Sequence, residues 1–441
     1  MALRNLLLRF AFGGFLAVVS FLVARRKLPK PVAAWTDQQF DRILFGVYGA
    51  SHFLLFFTAF FVLHQKPWTD IIAFYVPQAH SVMHGLVPYR DFDSSYAPLN
   101  PYIDALVLRL HDSALSILAF QILCDLLSVP FWTRFLRRYM NEATVRKAAL
   151  LYLVQPLVFY EICIDGKNQG LISLLLGISF WAVARREILS GFSVSLTWIL
   201  VKILPIMFVP ALFIGARKRI RWMMAAAVPS LIVYGAFVLK GADVTEGLRK
   251  EGNMITPQNL PYLFGALTGF DLPKIVLSLL SLAVIAVVLV ITIRAQLVAK
   301  SDAAKLWKMG LGVLLILFAV LLMNKKSDTS YLGMCFFLLC GFIAFESDGG
   351  RKSTTWLYVL LSILALPIAS FWYWPLKQPM GPQLHTLCRA GDRLAWSMLL
   401  MQTLLAVSYL GLAFKILRSV RQDAFESVEE SGARLVRGSA S

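Results

Sequence analysis

An all-α, polytopic transmembrane fold with a large first non-cytoplasmic loop is what this sequence predicts, and three observations predict it. The 441 residues are 58% hydrophobic and only 15% charged, with a mean hydropathy of +0.67; soluble proteins carry roughly 25% charged residues. Apolar stretches long enough to cross a bilayer, about 17 to 25 residues, recur from one end of the chain to the other. A polar, acid-bearing segment, Trp68 to Asn100, is wedged between two of them.

The stretches fall at 4–24, 43–64, 113–133, 147–164, 168–184, 222–239, 273–293, 307–323, 329–346, 354–375 and 395–417. The first has the length of a signal peptide, but no small-residue cleavage site follows it and Arg25-Arg26-Lys27 do, so it reads as a helix or anchor. Basic clusters at Arg25–Lys30, Arg134–Lys147, Arg185-Arg186, Arg217–Arg221, Arg294–Lys308 and Arg351-Lys352 mark the cytoplasmic loops. Segment 188–214 lies between two such clusters and contains Pro205 and Pro210, so it reads as a re-entrant hairpin of two short helices. That parity places loop 65–112, the turn at Asp165–Gln169, loop 240–272, Asn324–Ser330 and loop 376–394 on the opposite face. Residues 1–420 read as one multi-pass domain without internal repeats, and 421–441 as a polar, disordered cytoplasmic tail.

The formal net charge of +18 does not point to nucleic acid, because the cations flank apolar segments instead of lining one polar domain. Five cysteines, with no CxxC pair, predict neither a disulfide framework nor a metal site. His80 and His84 share a helix face, but a third ligand is missing from the pattern and no metal is assigned. Phe371, Trp372, Tyr373 and Trp374 read as an interfacial aromatic belt.

Ionisable groups held against a membrane are costly and mark function. Loop 65–112 offers Asp70, Asp91, Asp93 and Asp104, with Arg90, Tyr75, Tyr89 and Tyr96 interleaved. Asp70 follows closely on the helix ending near His64, at the depth where a lipid-linked substrate presents its headgroup. Burial beside aromatics would raise its pKa towards that of a working general base; as the alternative, Asp70 caps the helix that follows Pro67. Lys325 and Lys326 lie on the same face, against the positive-inside trend, and either hold an anion or snorkel at a helix end. Asn168, Gln169, Gln258 and Asn259 are candidates to bond sugar hydroxyls or, equally, to satisfy loop backbone. Lys202 reads as structural, inside the hairpin or reaching the cytoplasmic surface.

Trp68-Thr69-Asp70, Tyr75, Gly85-Leu86-Val87-Pro88-Tyr89 and Tyr96-Ala97-Pro98-Leu99 resemble the first luminal loop of the GT-C glycosyltransferases, in particular the polyprenol-phosphate-mannose-dependent mannosyltransferases. The nearest pattern is similar to the bacterial family 87 enzymes and to the catalytic subunit of GPI mannosyltransferase I. Asp165–Gly170 resembles the family's short GQ-type turn, Lys202-Ile203-Leu204-Pro205 its K-x-x-P hairpin, Pro257–Leu260 its asparagine-rich segment, and Asn324–Tyr331 its late NK…TS.Y loop. These motifs occur in family order over residues 43 to 346. The chain departs from the GPI enzymes in having Asp70-Ile71-Ile72 where they carry Asp-x-Asp, which favours a single-acid site without a metal.

The resemblance implies an inverting glycosyltransferase with Asp70 as general base and no cofactor. Lys325, Lys326 and Arg90 would face the donor phosphate. Tyr75, Tyr89, Asp91, Asp93, Asn168, Gln169, Gln258 and Asn259 would line the substrate site. The implied partners are a polyprenyl-phosphate sugar donor, mannose by resemblance, a glycolipid or glycan acceptor, and membrane lipids. The implied location is a prokaryotic cell membrane, or alternatively the endoplasmic reticulum membrane, with the site on the non-cytoplasmic face. A lipid-linked sugar flippase is the competing reading, although repeated halves, expected of transporters, are missing. A structural membrane subunit would explain the helices and not the loop.

Overall fold

A computed structural model describes residues 2–67, 70–252, 255–369 and 379–422. Trp68, Thr69, the run Phe371–Trp374 and the tail beyond Gln422 lie outside the described residues. The described chain is all α, with no strand. The long elements are α1 (Ala2–Arg25), α2 (Asp37–Phe57, prolonged by a π turn to Val62), α3 (Ala114–Leu136), α4 (Glu142–Leu153), α5 (Pro156–Cys163), α6 (Gln169–Ala182), α7 (Glu187–Leu200), α8 (Val209–Gly215), α9 (Arg219–Leu239), α10 (Lys274–Leu297), α11 (Asp302–Met323), α12 (Phe336–Asp348), α13 (Lys352–Ala369) and α14 (Arg393–Arg421). Six of the described helices are long and apolar enough to cross a membrane: α2 with its extension, α3, α9, α10, α11 and α14.

Two predicted spans are broken. The stretch 147–164 divides into α4 and α5 because Pro156 removes a backbone donor, and the Gln155 side chain accepts from Leu157 N to start the second helix. The stretch 329–346 opens as a 3₁₀ turn, Thr329–Met334, after Asp328 accepts from Ser330 N at 2.8 Å. As expected, segment 188–214 is interrupted, at Val201–Ile203. Trp198 on α7 donates to Ser230 Oγ at 2.8 Å and its carbonyl accepts from Tyr234 at 2.6 Å, while Gly191 packs against Trp222 near the start of α9. Helices α7 and α9 therefore run parallel, and the chain between them returns to the side on which it began.

Helix α11 is apolar all round and 94% of its apolar window is buried, which makes it the axis of the bundle. By contrast α9 and α10 leave Leu231, Ile232, Leu279 and Leu282 more than half exposed. Apolar side chains in rows on the outside of a bundle are what a lipid solvent permits. One carboxylate, Asp125 on α3, lies fully inside this apolar body; it accepts hydrogen bonds from Tyr152 at 2.6 Å and from Tyr48.

Candidate functional site

Helix α2 ends on the face opposite the basic loops, and the chain re-enters at Asp70. The turn Asp165–Asn168 is pressed against that point because Gly166 has φ +61°, and a Cβ there would stand 2.0 Å from Ile71 Cδ1. Only glycine fits both the left-handed backbone and the approach. A second glycine, Gly170, brings the start of α6 against α3, where a Cβ would lie 2.3 Å from the Gln121 carbonyl oxygen. Together they carry Lys167 to Asp70, whose Oδ2 accepts from Nζ at 2.8 Å.

Asp70 stands first in the short helix that follows but makes no side-chain cap bond, so the capping alternative does not describe it. Its pKa also differs from the sequence expectation. Burial pushes it up, yet the charges of Lys167 and Lys202 and hydrogen bonds from Lys167 and Tyr96 outweigh that, and Asp70 is held below the usual carboxylate range. It is an ionised carboxylate with about a quarter of its side chain (24%) exposed. Lys167 is half-buried, which disfavours its charge, but Asp70, Asp328 and Glu161 together hold it protonated.

Lys202 sits at the break after α7. Its ammonium lies 5.6 Å from the Tyr96 ring and 5.3 Å from the Tyr331 ring, both within cation–π reach. Of the two expected placements it takes the one inside the hairpin, at Asp70's end of the bundle and not at the basic end, because the Val201 and Ile199 carbonyls accept from Ala97 and Leu99 N at 3.0 Å each, which pins the hairpin tip to the acidic loop. Arg9 on α1 completes the cluster, 3.7 Å from Asp165 and 4.1 Å from the Tyr160 ring centre.

Of the sequence-predicted residues, the structure brings together Asp70, Tyr75, Asn168, Gln169 and the loop of Lys325. Tyr75 is buried with its ring 5.0 Å from that of Tyr96. Gln169 donates to Ser330 at 3.1 Å, joining the turn to the late loop. Asn168 is buried with neither amide atom hydrogen-bonded, and Glu161 Oε2, Gln169 Oε1 and Thr329 Oγ1 are likewise unpartnered among the described residues. Buried polar atoms without partners are rare and call for an explanation. Lys325 is buried and pairs with no described acid.

Other predicted residues have structural employment. Asn259 accepts from Tyr262 N at 2.8 Å and donates to the Asn324 and Lys325 carbonyls at 3.0 Å, and Gln258 accepts from Thr329 N at 2.7 Å. They staple loop 256–260 to the Lys325 loop. Tyr89, at φ +63°, donates to the Tyr96 carbonyl. Arg90 and Asp91 pair with each other at 2.8 Å, Asp91 also accepts from Val87 N at 2.7 Å, and Arg90 reaches the Lys240 carbonyl at the far end of α9. No described contact links that pair to Asp70. The Asp93 carbonyl accepts from Gln78 at 3.1 Å. Lys326 is half-buried. His80 turns to Asp112 at 2.9 Å and His84 to the His80 carbonyl, so the two do not converge.

Sequence reasoning missed Lys167, Lys202, Glu161 and Arg9 as members of one cluster. The usable signal was Lys167 itself, a cation beside Asp165 in a turn on the face where the positive-inside rule expects few. No family model matches the chain, and no curated protein matches it either.

Proposed function

We propose that this protein is a membrane glycosyltransferase that moves a sugar from a polyprenyl-phosphate donor to a hydroxyl of a glycolipid or glycan on the non-cytoplasmic face. Mannose is the sugar the motif resemblance favours. The observation that carries the reading is an ionised, partly exposed Asp70 on which the charges of Lys167 and Lys202 converge.

Lys167 and Tyr96 hydrogen-bond Asp70 and orient it, and its exposed edge receives the acceptor hydroxyl. The acceptor oxygen forms a bond to the anomeric carbon while its proton passes to Asp70. The bond from that carbon to the phosphate oxygen breaks, and its electron pair leaves with polyprenyl phosphate. One displacement inverts the anomeric centre. A carboxylate held ionised is a weak base, suited to receiving a proton that is lost as the new bond forms. Lys202, whose charge acts on Asp70, supplies fixed positive charge for the departing phosphate, and Lys325 is the further cation that the motif resemblance implies. The unpartnered amide and carboxylate atoms of Asn168 and Glu161 suit a polyhydroxylated ligand.

The test is sugar transfer from labelled polyprenyl-phosphate mannose to native membrane lipids by the purified protein in liposomes. Asp70→Asn is expected to lower the rate about 10²- to 10⁴-fold with folding and donor binding retained. Unchanged transfer by that variant overturns the base assignment. The interrupted segment with Lys202 at its break favours a second reading, a lipid-linked sugar flippase. Absence of transfer from several polyprenyl-phosphate sugars, together with donor movement across the bilayer, selects it.

A further inference from the structure

At the opposite end of the bundle, the last turns of α10 and α14 and the first turns of α11 border an open cavity of about 310 Å³. Arg294, Lys308 and Arg421 line it together with apolar Ile291, Val298 and Val420, and none of its described lining residues is acidic. Arg294 and Arg421 are exposed and make no ion pair with a described residue. Lys308 is buried in the first part of α11, so a cation is carried into the wall. This end also bears Arg134, Arg185 and Arg217, and the positive-inside rule assigns it to the cytoplasm.

We infer that this cavity binds the headgroup of an anionic phospholipid from the cytoplasmic leaflet. A phosphate answers to Arg294 and Arg421 at one spot, and the apolar lining residues give the upper acyl chains a wall that water would not wet. The neighbouring face of α10 supports the same orientation, since Leu282, Val287 and Val290 are half exposed or more along the helix. A basic pocket between helices at the cytoplasmic boundary has the chemistry for such a headgroup. The inference is independent of the transfer reaction, which lies at the other end of the molecule. A free phosphate would use the same cations but not the apolar wall.

The test compares retention of phosphatidylglycerol and phosphatidylcholine by the full-length protein in detergent, measured by native mass spectrometry. Wild type is expected to retain phosphatidylglycerol preferentially. Arg294→Gln and Arg421→Gln should each weaken it about fivefold, and the pair on the order of 25-fold. Arg134→Gln, an exposed cation at the same end but outside the cavity, should leave retention unchanged. The paired Arg→Lys variant should recover most of it, which separates lost charge from lost fold. Equal retention by the paired Gln variant, or an equal loss in Arg134→Gln, overturns the site. Binding of inorganic phosphate that phosphatidylglycerol does not displace overturns the lipid reading.

Discussion

Two charged networks at opposite ends of this bundle use similar residues in opposite ways. At the basic end, the network that ties the starts of α2 and α4 to the end of α3 closes its charges in with partners. Arg137 meets both oxygens of Asp41 at 2.7 Å and both oxygens of Glu142 at 2.9 Å, Arg146 binds Asp37 at 2.8 Å together with the Val32 and Trp35 carbonyls, and Lys147 pairs with Asp348. Even Asp125, inside the apolar body, has two tyrosine hydroxyls. At the other end Asp70 and Lys167 are paired, but Lys325, Asn168 and one oxygen of Glu161 are buried without described partners. A saturated network holds helices together, whereas an unsaturated one keeps donors, acceptors and charge in reserve for something that arrives later.

This contrast predicts that variants at the two ends fail differently. The largest effect on stability belongs to Arg137→Ala, which leaves Asp41 and Glu142 without their shared cation. It should cost about 2–3 kcal/mol in denaturant unfolding while KM and rate per folded molecule stay at wild-type values. Reduced turnover without reduced stability would break the contrast.

Gly166→Ala puts a Cβ into Ile71 on a left-handed backbone and should cost about 1–3 kcal/mol. Adding Ile71→Ala should recover the steric part but not the backbone part, so a double variant no better than the single would show that the turn is not pressed onto Asp70 as described.

Lys325→Gln should raise KM for the donor about tenfold, about 1.4 kcal/mol, and leave the unfolding midpoint unchanged or higher, since the charge has no described acid to lose. A fall in midpoint with unchanged KM would place Lys325 in the scaffold.

The smallest effect is on pH dependence. Asp70 is held below the usual carboxylate range, so its contribution to stability is present above the unfolded carboxylate pKa and is lost as pH falls through the lower folded value. Activity that needs ionised Asp70 has the same acid limb. Lys167→Gln removes the main opposing charge, burial then dominates, and the limb should move to higher pH. An unmoved limb would show that Asp70 does not report on the rate.

Much of the scaffold was legible in the sequence because lipid imposes a one-dimensional rule: a spanning helix must be apolar over a fixed length. Stretches such as 273–293 and 307–323 needed no partner to be read, and Pro205 with Pro210 announced the interrupted hairpin. The breaks at Gln155-Pro156 and after Asp328 were harder, because side-chain bonds to the backbone end helices inside continuous apolar runs. The site was legible only in part. Asp70 stood out as an acid beside a span, but its partners lie about a hundred residues away in the chain.

Composition and spacing thus determined the all-helical class and the presence of helices long and apolar enough to cross a membrane. Only the tertiary structure decided that Lys167 and Lys202 hold Asp70 ionised, that Gln258 and Asn259 serve the loops, and that Arg90 and Asp91 satisfy each other. The physical reason is range. Hydropathy and backbone propensity act through neighbours along the chain, whereas a pKa or an ion pair depends on charges a few ångströms apart in space, and the close approaches at Gly166 and Gly170 that set those distances exist only once the helices have packed.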